Sequence, residues 1–335
     1  MHKIGVLGAG TWGVALARML ANTGNEVTVW SAVEKEIDTL SKTHIHPNLK
    51  DCKIPESIIF TKNLQQACED KDIILFAVAS VYVRATAHKV REFIPDNQII
   101  VDVAKGIEAQ TNLTMSQIIE DEIRADNKHD NVKVVVLSGP THAEEVALDL
   151  PTTIVSACED MKSAEYVQDI FMNTCMRVYT NSDKIGVELC GALKNIIAIA
   201  AGVSDGLGYG DNAKAALITR GIAEMSRLGK AMGGSYQTFA GLAGLGDLIV
   251  TATSRHSRNN RAGYLIGKGM SPQQAVKEVG MVVEGINALD AAVELANKYG
   301  VEMPIVFAVD AVVNKGADPR KTVNELMTRK KKNES

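Results

Sequence analysis

Several short stretches of this chain carry residues whose types and spacing can do chemistry. Gly8-Ala9-Gly10-Thr11-Trp12-Gly13 has the G-x-G-x-x-G spacing of a turn that admits a pyrophosphate. Gly8 permits the tight turn, Gly10 lets the backbone approach phosphates, and Gly13 lets the next helix pack on the preceding strand. The helix start then offers unpaired N–H groups and a positive dipole to an anion. Lys194 stands in the apolar run Val187 to Ala198, with Gly191, Cys190, Ala198 and Ala201 as helical neighbours. Such small residues leave room beside the ammonium, and desolvation favours a neutral amine suited to acid–base exchange. A snorkelling lysine, or one paired with Glu188, fits the same residues. Lys105-Gly106 and Ser138-Gly139-Pro140-Thr141-His142-Ala143 each follow a strand-like run, at the carboxyl end where open α/β sheets bind ligands. Asp247 ends the glycine-rich run Gly241 to Gly246. Ser257-Arg258-Asn259-Asn260-Arg261 opens a helical pattern, joining N–H donors to arginine charge. Each stretch alone also reads as a cap or loop; together they describe cations, a carboxylate and an anion cradle.

The glycine turn needs a strand before it and a helix after. Lys3–Leu7 is a short buried-strand run. Over Thr11–Asn22, Val14, Leu16, Ala17, Leu20 and Ala21 recur at helical spacing until Gly24 stops the helix. Glu26–Trp30 is β-rich and completes a βαβ unit. In such units an acid about 20 residues on bonds the ribose 2′-hydroxyl of NAD. Here that place reads Val29-Trp30-Ser31-Ala32-Val33, with neither a carboxylate to repel a 2′-phosphate nor an arginine to clamp one. Glu34 and Lys35 are the nearest charges, so the sequence permits both NADH and NADPH.

Further strands are expected at 57–60, 72–78, 98–103 and 133–138, with helices at 64–70, 83–93 and 114–124 between them. This alternation argues for a parallel doubly wound sheet. Strands at 152–157 and 176–179 flank a helix near 162–172 and extend it, and the polar stretch 125–131 reads as an exposed loop. After about residue 182 no strand pattern returns. Helical patterns run at 184–203, 213–232, 237–250, 258–268, 272–279, 285–299, 305–315 and 319–329, with Asp183 placed as the first N-cap. The expected fold is α/β plus all-α: a Rossmann doubly wound parallel sheet over 1–182 and an all-helical domain over 183–335.

With 335 residues, 46% hydrophobic and 23% charged, the chain has the composition of about two globular domains. Thirty-six basic against 40 acidic residues argue against a general nucleic-acid binder. The basic run Arg329–Lys332 reads as a solvated terminus. The opening Met-His-Lys-Ile-Gly has no long apolar stretch, so no secretory signal is expected. The most apolar window, Ile196 to Val203, is short and flanked by charge, so no integral membrane segment is expected either. Five cysteines without a C-x-x-C pair suit free thiols in a reducing compartment, hence a cytoplasmic location. His44-x-His46 has no nearby cysteine or glutamate and reads as a surface loop, so no metal site is expected. The apolar C-terminal helices suit packing on each other or a homodimer.

Taken in order, the blocks resemble one family, the bacterial-type NAD(P)-dependent glycerol-3-phosphate dehydrogenases. The matching blocks are Gly8–Gly13 with Thr11-Trp12, Lys105-Gly106-Ile107-Glu108, Leu137 to Glu145, Val187 to Asn260 and Val283-Glu284-Gly285. The long block includes Asp205 to Asp211 and Gly244-Leu245-Gly246-Asp247, and the match spans almost the whole chain. The resemblance implies a Rossmann domain, a helical domain and a cleft between them. It implies reversible conversion of dihydroxyacetone phosphate to sn-glycerol 3-phosphate with NADH or NADPH, for glycerophospholipid synthesis. Lys194 would exchange the proton, aided by Lys105 and Asp247. Lys105, Gly139, Thr141, Lys194, Asp247, Ser257, Arg258 and Asn259 would contact substrate. Gly8, Gly10, Thr11, Trp12, Gly13, Lys105, Ala143, Arg258, Val282 and Glu284 would contact the cofactor. Ser31-Ala32 depart from the His or Arg common in the family, Leu49 from a Tyr, and Ala79 from a proline. Two other readings predict different behaviour. A 3-hydroxy-acid or other polyol-phosphate dehydrogenase would share the fold; a hydroxy acid would need a carboxylate site in place of the 257–259 cradle. A dinucleotide sensor would bind cofactor without turnover.

Overall fold

Short runs of Val, Ile and Leu, too apolar for one wet face, form a sheet buried on both sides. The computed structural model describes residues 1–49, 51–254, 256–331 and 333–334. The chain divides into two units, Met1–Lys105 with Leu113–Glu188, and Gly106–Asn112 with Leu189–Ser335. The first unit holds strands β1 (Lys3–Leu7), β2 (Glu26–Trp30), β3 (Ile59–Thr61), β4 (Ile73–Phe76), β5 (Ile99–Asp102), β6 (Lys133–Ser138), β7 (Thr152–Ala157) and β8 (Met176–Asn181). Its helices are α1 (Thr11–Asn22), α2 (Glu34–Thr43), α3 (Leu64–Cys68), α4 (Val83–Val90), α5 (Met115–Arg124), α6 (Ala143–Ala147) and α7 (Met161–Met172). The sheet order is β3-β2-β1-β4-β5-β6-β7-β8. Alternate residues feed opposite faces: Ile4, Val6 and Leu75 join one core, and Leu7, Ile74 and Phe76 the other. The chain leaves β1 in opposite directions, to β2 and to β4, which puts the glycine turn at the switch point where such sheets bind ligands.

The expected parallel sheet has one exception. β6 and β7 pair antiparallel, while every other neighbouring pair is parallel. The connection over 139–151 carries only the five-residue α6, too short to lie along the strand as the helix of a βαβ crossover does, and β7 runs back. Helix α2 is an addition to the expected elements; it buries only Ile37 and Leu40, too few for a readable period. In the expected exposed loops, His129 is buried between the Ile94 carbonyl and Asp126, and His46 is buried with Nδ1 accepting from the Asn48 N–H.

The second unit's elements are helical: α8 (Lys184–Gly206, whose first turn belongs to the first unit), α9 (Asp211–Ala231), α10 (Tyr236–Ala240), α11 (Asp247–Thr253), α12 (Arg258–Gly267), α13 (Pro272–Val279), α14 (Glu284–Asn287), α15 (Leu289–Lys298), α16 (Pro304–Val313) and α17 (Pro319–Met327). Asp183 caps α8 as expected, its Oδ1 accepting the Gly186 N–H at 2.9 Å. By length and composition α8 could cross a membrane, with mean hydropathy 1.5 over a span longer than Ile196 to Val203. Protein accounts for its apolar character, since 89% of that span is buried inside the structure. Its partner is α12. A Cβ on Gly202 would lie 2.0 Å from the Asn260 carbonyl oxygen, and one on Gly263 2.1 Å from that of Ile199, so the two backbones touch through glycine.

Glu224 on α9 is buried and accepts the Ile305 N–H at 2.9 Å where α16 begins. Burial pushes its carboxyl up to about 7, against the hydrogen bonds that favour the carboxylate. A folded-state value above the unfolded one gives stability that is complete below about 4.5 and lost as pH rises through about 7. The stability of the natural protein relative to Glu224→Gln should therefore fall by up to about 3 kcal/mol between pH 4.5 and 8, read from urea midpoints. A pH-independent difference would show that Glu224 titrates alike folded and unfolded.

Candidate active site

In the first unit, Gly8 adopts φ +120°, which only glycine tolerates, and a Cβ there would meet the Ala77 carbonyl oxygen at 2.7 Å. Its N–H donates to the Trp30 carbonyl at 2.7 Å, tying the turn to the end of β2. A Cβ on Gly13 would lie 2.1 Å from the Gly8 carbonyl oxygen, so α1 packs hard against the turn. Gly10 is different: it is exposed, and nothing lies within 4 Å of a Cβ built there. No side chain caps α1 and no acid sits in its first turn, leaving its N–H groups and dipole for an anion. These features fit a dinucleotide pyrophosphate. Thr11 Oγ1 accepts from Asn48 at 3.0 Å, Trp12 is half-buried against the core, and Ala143 opens α6, which packs on α1.

Lys105 follows β5 and donates from Nζ to the Gly139 carbonyl beyond β6 at 3.1 Å. Thr141 Oγ1 donates to the same carbonyl at 3.3 Å, so Lys105, Gly139 and Thr141 form one cluster. Asp102, fully buried at the end of β5, was not singled out by sequence, although an acid closing Ile99-Ile100-Val101 was the signal. Its Oδ1 accepts the Ala104 N–H at 3.0 Å and so holds the backbone leading to Lys105. Burial, with the Glu188 carboxylate nearby, raises the Asp102 carboxyl well above the usual range. Glu188 accepts from the Ser116 N–H and hydroxyl and from Thr114, so it is not the partner of Lys194.

In the second unit, Lys194 is 6% and Asp247 1% exposed. Lys194 Nζ lies 2.7 Å from Asp247 Oδ1 and 2.6 Å from Thr251 Oγ1. The carboxylate neutralises the buried ammonium, and two acceptors direct two of its three N–H bonds. Thr251 was missed by sequence; it stands four residues after Asp247, on the same helix face. The expected continuous helix over 237–250 is instead broken. Between α10 and α11 the chain makes a wide π-helical turn at Leu242–Gly246, closed by the Gly246 N–H on the Gly241 carbonyl five residues back. Glycines weaken the α form by about 1 kcal/mol each, and the extra residue rotates α11 by about 100° relative to a continuous helix. That rotation sets the direction in which Asp247 leaves the backbone.

Ser257 caps α12, its Oγ accepting the Asn260 N–H at 3.2 Å, and Arg258 is the exposed first helical residue. Asn259 departs from the expected cradle. Its side-chain amide donates to Asn195 at 2.9 Å and accepts from the Gly285 N–H at 2.9 Å. It therefore joins α8, α12 and α14, and what it can offer an anion is its backbone N–H. Val282 and Glu284 flank the start of α14, beside Gly285.

The family model described as NAD-dependent glycerol-3-phosphate dehydrogenase N-terminus matches residues 3–164, and its C-terminus counterpart matches 183–324. The chain belongs to this family. Glycerol-3-phosphate dehydrogenase (NAD(P)+) 2 of Lactobacillus delbrueckii subsp. bulgaricus is 68% identical over 334 residues, covering 100% of this chain and 99% of that one. The Agathobacter rectalis glycerol-3-phosphate dehydrogenase (NAD(P)+) is 51% identical over 99% of this chain and 97% of its own. The crystal structure of glycerol-3-phosphate dehydrogenase from Coxiella burnetii has a TM-score of 0.92 at 37% identity, covering 98% of this chain and 99% of that one. The glycerol-3-phosphate dehydrogenase family thus accounts for both units, the eight-stranded sheet and the helical set alike.

Proposed function

We propose that this chain is an NAD(P)-dependent glycerol-3-phosphate dehydrogenase, interconverting dihydroxyacetone phosphate and sn-glycerol 3-phosphate for glycerophospholipid synthesis. Membership of the family and the names of its relatives support the reaction. The observation that carries the chemistry is the buried Lys194–Asp247 pair. In this reading residues 1–182 hold the dinucleotide and 183–335 bind the triose. Gly8, Gly10, Thr11, Trp12, Gly13 and Ala143 hold the cofactor, with Lys105, Arg258, Val282 and Glu284. When bound, the nicotinamide supplies or accepts the hydride.

Lys194 Nζ gives a proton to the alkoxide oxygen during reduction and takes it back during oxidation. Asp247 and Thr251 fix the direction of that N–H. Lys105, set by Gly139 and by the Asp102 tie on Ala104, adds positive charge at the same oxygen. One well-placed donor of this kind can contribute roughly 3–4 kcal/mol to the transition state. Arg258, the Ser257 hydroxyl and the backbone N–H of Asn259 hold the phosphate, and that remote binding orients the ketone. Arg258→Ala should raise KM for dihydroxyacetone phosphate about 10–100-fold, the loss of a charged hydrogen bond, with a smaller loss of cofactor affinity. An unchanged KM would remove Arg258 from phosphate binding.

The test is oxidation of NADH and of NADPH on addition of dihydroxyacetone phosphate. A 3-hydroxy acid as the better substrate would overturn the reading, as would cofactor binding without turnover. The same reading includes a cytoplasmic homodimer. Light scattering should then return twice the chain mass of 36.0 kDa.

A further inference from the structure

We infer that Glu36 makes this chain favour NADH over NADPH, by turning a carboxylate toward the 2′ position of the cofactor's adenosine ribose. The inference rests on the dinucleotide reading under Proposed function. In sequence Glu36 lies five residues beyond Ser31, and no acid occupies the end of β2 itself. The fold brings one back. α2 begins at Glu34, and its first turn returns the Glu36 side chain to the strand end, where Ser31 Oγ donates to Glu36 Oε2 at 2.9 Å. Ser31 Oγ also accepts the Val33 N–H at 3.1 Å, which fixes the hydroxyl and so the carboxylate. The strand end is in turn joined to the glycine turn by the Gly8 N–H on the Trp30 carbonyl.

A second approach to the same place comes from His46. His46 is buried just beyond α2 with Nδ1 accepting the Asn48 N–H, and the Asn48 amide donates to Thr11 Oγ1 at 3.0 Å, so the segment that follows α2 also returns to the glycine turn. Glu36 therefore lies on the β2 side of the turn, where the adenosine ribose of a turn-bound dinucleotide must sit. A carboxylate there accepts a hydrogen bond from a 2′-hydroxyl and repels a 2′-phosphate.

Among the described residues, Lys62 and Lys35 do not offset this. Lys62 Nζ is held by Glu34 at 3.2 Å and Asp38 at 3.0 Å. Lys35 leaves α2 about 100° around the helix from Glu36.

Calorimetric titration with NADH and NADPH, without triose, tests the inference. The natural protein should bind NADH about tenfold more tightly than NADPH. In Glu36→Gln, which keeps an acceptor for Ser31, the ratio should fall to about twofold or less through a gain in NADPH affinity. An unchanged thermal midpoint would show the variant folded, as its exposed position leads one to expect. Equal affinities in the natural protein, tighter NADPH binding, or an unaltered ratio in the variant would each overturn the role of Glu36 while leaving the dinucleotide reading standing. Binding of neither cofactor would overturn that reading itself.

Discussion

Lys194→Ala should lower kcat about 10³-fold, within the range of general acid–base catalysis, while NADH binding is retained. The same change strips a buried carboxylate of its counter-ion. Asp247 is 1% exposed, and removing one member of such a pair costs about 3–5 kcal/mol of stability. Loss of activity in the single variant therefore needs a companion. The double variant Lys194→Met with Asp247→Leu replaces both charges by apolar groups and should recover most of the stability. It should recover none of the turnover. Urea denaturation and single-turnover kinetics on both variants separate the two effects. Near-normal turnover in a folded Lys194→Ala protein would remove this lysine from the mechanism.

Two glycines of one turn should respond oppositely to the same methyl group. Gly10→Ala adds a Cβ where no heavy atom lies within 4 Å, so its thermal midpoint should match the natural protein. The methyl would stand where phosphate approaches the backbone. Losing one charged hydrogen bond there, about 1.5–3 kcal/mol, lowers NADH affinity by about 10–150-fold. Gly13→Ala puts a Cβ 2.1 Å from the Gly8 carbonyl oxygen, and neither backbone can yield cheaply. It should lose about 1–3 kcal/mol of stability together with cofactor affinity. Calorimetric titration and thermal denaturation, run on both, check the contrast. A Gly10→Ala protein that binds NADH normally would place the pyrophosphate elsewhere.

Short-range patterns were legible in the residues themselves. The strand, glycine turn and helix at the start arise from spacing over about 20 residues, because backbone sterics and helical periodicity act locally. The Asp183 cap and the change from sheet to helices after residue 182 were readable for the same reason, whereas the residues around Lys194 suited a buried and a snorkelling lysine alike. The resemblance carried the reaction, which no local rule would have supplied.

Tertiary structure decided the partners. Glu188 is nearer Lys194 in sequence, yet the ammonium meets Asp247, 53 residues away, because α11 packs against α8 after a π-helical turn. Asn259 joins three helices, β7 runs antiparallel to β6, and Glu36 returns to the end of β2. Sequence alone set most of the strands and helices, though not α2, α6 or the break at Leu242–Gly246, and which polar groups would be costly to bury. Which group met which was left to packing, since a buried charge takes whatever partner the docked elements bring within about 3 Å, however far along the chain that partner lies.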